Sequence, residues 1–94
     1  MNFEAFKESL SNDQPPAQLP IYLRALWYDG RGDWETAHDL INDLPGEKAA
    51  WVHAYLHRKE GDAGNAGYWY ARAGKRMPSM SLELEWADIV SQLL

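Results

Sequence analysis

Apolar residues recur along this chain at steps of three and four. The interruptions fall at prolines, glycines and capping residues, the pattern of a series of short amphipathic helices. Phe3, Phe6 and Leu10 stand at helical spacing over residues 2–11, and Asn12-Asp13-Gln14-Pro15-Pro16 ends that first helix. Pro20 suits the first turn of a second helix running to about Gly30, because its missing N–H would have no helical partner there. Asp33 stands where an N-cap belongs, ahead of a third helix with the apolar stripe Trp34, Ala37, Ile41 and Leu44. Pro45-Gly46 breaks the chain, and a fourth helix over about 47–60 ends at Gly61, placed for a left-handed turn. Asp62 caps a fifth helix, about 63–76, with Ala66, Tyr70 and Ala73 inward. Ser81 caps a sixth over 82–94, whose stripe is Leu82, Trp86, Ile89 or Val90, and Leu93. Six helices and no strand predict an all-α fold.

The helices repeat. Ala25-Leu-Trp-Tyr-Asp-Gly-Arg-Gly-Asp-Trp-Glu-Thr-Ala37 aligns with Ala54-Tyr-Leu-His-Arg-Lys-Glu-Gly-Asp-Ala-Gly-Asn-Ala66 at an offset of 29 residues. A period of helix, Gly-Asp turn and helix implies an α-solenoid. In the second block Ala54, Gly61, Ala66, Tyr70, Ala73 and Pro78 are similar to the tetratricopeptide repeat. That family has a small residue in its first helix, a turn glycine, two alanines around an aromatic, and a closing proline. The first block fits at Ala25, Tyr28, Gly32, Trp34, Ala37 and Ile41. Leu44 replaces its second alanine, and Pro45 shortens the period below the family's 34. Gly67-Tyr-Trp-Tyr-Ala-Arg-Ala-Gly74 also resembles the Sel1-type variant, and the whole chain resembles a group of short bacterial proteins. The resemblance implies a TPR-like α-α superhelix of antiparallel hairpins in one domain, residues 1–94. Its repeats cover about 18–46 and 47–78, between terminal helices 2–11 and 82–94.

The same resemblance implies a concave binding face made by the first helix of each repeat. The family's contact positions fall on Leu19, Tyr22 and Leu26, then Lys48, Trp51, Tyr55 and Arg58. Trp51, Tyr55 and Arg58 follow at i, i+4 and i+7 and so share one helix face, and they are residue types that dominate interface hot spots. With only two repeats, either terminal helix can fold across this face, and the sequence leaves open whether the groove is free or covered.

Composition narrows the chemistry. Ninety-four residues suit one domain that buries about 60–65% of its unfolded surface. Without cysteine there is no disulfide, no thiolate metal site and no thiol nucleophile. No apolar run approaches a membrane span and the acidic N-terminus lacks an apolar leader core, so a cytoplasmic protein is expected. The net charge of −5 conceals a split. Residues 48–76 carry Lys48, Arg58, Lys59, Arg72, Lys75 and Arg76 against Glu60 and Asp62, a local +4, which leaves −9 elsewhere and would steer an acidic partner to the second repeat.

Other candidate chemistry is thin. His53 and His57 stand at i, i+4, able to face one metal, but no third ligand is evident and the glutamate of H-E-x-x-H hydrolases is missing. The expectation is packing histidines and no metal or other cofactor. Gly61-Asp-Ala-Gly-Asn-Ala-Gly67 comes after a helix, lacks the Gly-Lys-Ser/Thr ending of a phosphate loop, and places Asp62 over the amides an anion would need. Ser9, Ser11, Ser79, Ser81 and Ser91 lie in no nucleophile motif. The expected function is therefore a non-catalytic module that holds a peptide or helix of a protein partner, acidic groups favoured. A self-associating scaffold, with Tyr68 and Trp69 pairing across a homodimer axis, is the alternative. Nucleic-acid binding through the basic second repeat ranks third, against the overall negative charge.

Overall fold

The computed structural model describes all 94 residues, and its regular structure is all helix, with no strand. Its elements are α1 (Phe3–Ser9), α2 (Ile21–Gly30), α3 (Trp34–Ile41), α4 (Glu47–Lys59), α5 (Ala63–Arg72) and α6 (Leu82–Leu93). Short turns fold α3 back on α2 and α5 back on α4, the geometry that a three-residue connection favours.

The two turns are built alike. Gly32 and Gly61 have φ of 85° and 87°, a region costly for any residue with a Cβ. The following amides of Asp33 and Asp62 reach back to the carbonyls of Tyr28 and His57, both at 2.9 Å, the closure that satisfies the last carbonyls of a helix. Each aspartate then caps the next helix, accepting from the amide of Thr36 or Asn65 at 3.1 Å. A second bond, from the Thr36 hydroxyl or the Asn65 side-chain amide, completes each cap. These bonds favour the ionised caps and hold both carboxyls below the usual aspartate range. For Asp33 the Thr36 side chain contributes most, and for Asp62 the Asn65 amide.

A third copy of the turn ends α5. Gly74 has φ of 71°, and the Lys75 amide bonds the Tyr70 carbonyl at 2.9 Å. The helix therefore stops at Arg72, short of the expected residue 76. From Lys75 to Met80 the chain is an irregular connection.

The hairpins meet along α4, the central element, nine of whose residues are buried. Ala54 and Ala66 are fully buried, so the backbones of α4 and α5 approach without a large side chain between them. Replacing either with Leu is expected to overpack this contact and cost about 1–3 kcal/mol, measured as a lower denaturant midpoint. An unchanged midpoint in both variants would exclude it.

α6 does not extend the stack of hairpins. It crosses back over α2 and α4, and α1 closes on it in turn. Both Ile89 and Val90 are fully buried, so the apolar stripe of α6 is wider than the either-or expected. Trp86 meets the rings of Phe3 and Phe6 at centroid distances of 6.0 and 5.8 Å and donates its indole N–H to the Leu26 carbonyl at 2.9 Å. Gly30 makes room for it, since a Cβ there would lie 2.9 Å from the Trp86 ring.

Candidate functional site

The face of α4 that carries Trp51, Tyr55 and Arg58 lies beneath α6. Leu26, Tyr55 and Trp51 are 0, 2 and 7% exposed, and Leu19 is buried with them. These are core positions and not free binding-face residues: of the two arrangements that the sequence leaves open, the covered groove is the one found. Tyr22 and Arg58 are half-buried, and Lys48 alone of the set is exposed. The physical cause is α6 itself, whose apolar stripe needs an apolar counterpart that only the face formed by α2 and α4 offers.

A buried carboxylate fixes α6 in place. Glu85 is 1% exposed and accepts from the Tyr70 hydroxyl at 2.6 and 2.7 Å, from Arg58 Nη1 at 2.9 Å and from the Trp51 indole at 3.4 Å. The second Arg58 amino group donates to the Met80 carbonyl, at the start of the same segment. A second buried carboxylate, Asp29 on α2, accepts from the Tyr55 hydroxyl at 2.8 Å and from Lys59 Nζ at 2.9 Å. Burial, followed by the adjacent carboxylate, raises the pKa of both phenols, so Tyr55 and Tyr70 remain protonated donors. No buried side-chain nitrogen or oxygen lacks a hydrogen-bond partner.

What remains of the groove is three clefts around α6, the smallest of about 240 Å³ beside Trp51, Met80 and Glu85. Another, of about 290 Å³, is lined by Asp29, Tyr55, Lys59, Trp86 and their neighbours. The largest, of about 330 Å³, is lined by Lys48, Trp51, Lys75, Leu93 and their neighbours. Lys75 Nζ sits 4.0 Å from the centroid of the Trp51 ring, a cation–π contact.

Much of the positive charge of the second repeat is engaged internally. Arg58 and Lys59 pair with Glu85 and Asp29, and Arg72 lies over Tyr68 and Trp69. Tyr68 is exposed while Trp69 is half-buried against His53, at a centroid distance of 4.0 Å.

The opposite side of α4 holds the two histidines, and here the structure adds a residue that the sequence did not single out. His38 of α3 brings its Nε2 to 3.2 Å from His53 Nε2, and its ring stacks on Trp34 at 4.8 Å. One nitrogen from each of His38, His53 and His57 lies within 4.8 Å of the other two, so the third imidazole missing from His53 and His57 comes from the first repeat. His57 Nδ1 lies 2.6 Å from Glu60 Oε1. Burial above all, with the neighbouring imidazoles, lowers the His53 pKa to about 4, and burial and His57 lower that of His38. Nothing short of the α3–α4 packing joins His38 to residues 15 and 19 positions away.

No helix is long and apolar enough to cross a membrane. Comparison with known proteins returns no matching family model, no matching curated protein and no matching solved structure.

Proposed function

We propose that this chain is a non-catalytic, TPR-like interaction module of the cytoplasm whose groove recognises an acidic amphipathic helix, and that α6 holds that position in cis. The observation that carries the reading is the socket of Arg58, Tyr70 and the Trp51 indole closed on Glu85. Three convergent donors set among apolar side chains accept a helix that offers one carboxylate within an apolar stripe, a helix-in-groove mode. The internal engagement of Arg58, Lys59, Arg72 and Lys75 disfavours nucleic acid.

A partner helix must compete with α6, which as a tethered segment acts at an effective concentration in the millimolar range. A labelled peptide of residues 81–94 should therefore bind the intact chain weakly and bind a full-length Glu85→Ala chain more tightly, read by fluorescence anisotropy. A peptide carrying Glu85→Ala should bind neither. Absence of binding to either chain, with helical dichroism intact, would refute the groove.

Self-association is the second reading. The occupant that fits this groove is the chain's own helix, joined to α5 through the connection that contains Pro78. Exchange of α6 between two copies would reuse every contact that α6 makes within one chain, and a molecular mass that rises with concentration would report it.

A further inference from the structure

We propose that His38, His53 and His57 form a binding site for a divalent transition-metal ion of the zinc class, which would join α3 of the first repeat to α4 of the second.

The geometry points to it first. A zinc ion bound tetrahedrally at about 2.0–2.1 Å from each imidazole nitrogen sets those nitrogens about 3.3 Å apart. The His38 and His53 Nε2 atoms stand at 3.2 Å. The His57 nitrogen lies within 4.8 Å of both, so its ring needs to close by at most ~1.5 Å to complete the triangle. His53 and His57 come from successive turns of α4, and because their rings stack at a centroid distance of 4.8 Å with 26° between their planes, the His57 ring must also turn to aim its in-plane lone pair at the ion.

The surroundings fit a ligand set. Glu60 holds His57 at Nδ1, which leaves Nε2 as the free nitrogen and supplies the carboxylate that commonly orients a metal-bound imidazole. Trp34 and Trp69 stack on His38 and His53 and fix both ring planes. His38 is half-buried, so the cluster reaches solvent at one edge.

The protons also balance. In the metal-free protein the contact between the two Nε2 atoms needs one of them to carry hydrogen and the other a lone pair. Binding requires that hydrogen to move to Nδ1 of the same ring, a change of tautomer that releases no proton from this pair, while any proton on His57 Nε2 is displaced to solvent. Three imidazoles with an open fourth position suit zinc, nickel or copper and offer nothing to magnesium or calcium.

The test is a titration of the full-length protein with Zn²⁺, and with Co²⁺ as a spectroscopic stand-in, followed by calorimetry, thermal melting and visible absorption. One ion per chain, a rise in melting temperature reversed by chelation, and the absorption of tetrahedral cobalt are expected, with no shift from Mg²⁺. His38→Ala should abolish the shift. His38→Phe, which keeps an aromatic ring against Trp34, should abolish it equally while leaving the metal-free melting temperature near that of the parent. Glu60→Gln should weaken binding about 10–100-fold. No zinc-dependent shift in the parent protein would overturn the proposal. So would a shift of equal size in His38→Phe, since the ion would then be bound elsewhere, as on His57, Glu60 and Asp62.

Discussion

Glu85→Ala is expected to destabilise the fold by about 3 kcal/mol, because removing one partner of a buried ion pair leaves the others desolvated and unpaired. The side chain is all but inaccessible and gathers the Tyr70 hydroxyl, Arg58 and the Trp51 indole. Arg58 keeps 18% of its side-chain surface exposed and recovers some hydration, which places the loss at the lower end for such pairs. For a domain of this size, with about 5–14 kcal/mol in total, the change is large. Glu85→Gln, which retains an acceptor for Tyr70, should fall between Glu85→Ala and the parent. Replacing the ion pair and its phenol with apolar residues, as in Arg58→Met, Tyr70→Phe and Glu85→Leu together, should recover most of that loss, leaving unpaired only the Trp51 indole, whose bond to Glu85 is long at 3.4 Å. Urea midpoints for the three variants check this order. If the triple variant proved as unstable as Glu85→Ala, the cost would lie in packing and not in the orphaned donors.

Trp51→Ala should cost about 3–5 kcal/mol, the range for emptying a large aromatic site in a core. The side chain fills the space where α4 meets α6, carries Lys75 over its ring and bonds Glu85. Lys48→Glu, one helical turn earlier and exposed, is the matched control and should stay within about 0.5 kcal/mol of the parent. Equal urea midpoints for the two variants would return Trp51 to the surface and remove α6 from its place as the occupant of the groove.

The helices were legible because their ends are written in local chemistry. Asp33, Asp62 and Ser81 cap where their spacing placed them, and Gly32 and Gly61 turn the chain as the repeat required. The end of α5 was missed although Gly74 follows Tyr70 at the interval that separates Gly32 from Tyr28 and Gly61 from His57.

The site was less legible, since a helical stripe says that a face is buried and not against what. Trp51 and Tyr55 have the same periodicity whether a partner or α6 covers them. Two signals were nonetheless present. Glu85 falls within the stripe of α6, three residues after Leu82 and four before Ile89, and Asp29 falls within that of α2, four after Ala25 and three after Leu26. An acid inside an apolar stripe calls for donors from another element, and both find them on α4 and α5. His38 left no comparable mark, because only the tertiary approach of α3 to α4 gathers the imidazoles.

The position of α6 also bears on how the protein is made. Synthesis runs from the N-terminus, so α2 to α5 leave the ribosome before the helix that covers them, at about 5–20 residues per second. The two hairpins are local in sequence and can form early. Until α6 emerges, Trp51, Tyr55 and the donors of the Glu85 socket stand uncovered. Each nascent chain thus passes through a brief interval in which its groove is open to whatever helix is at hand, including one from a neighbouring chain on the same message.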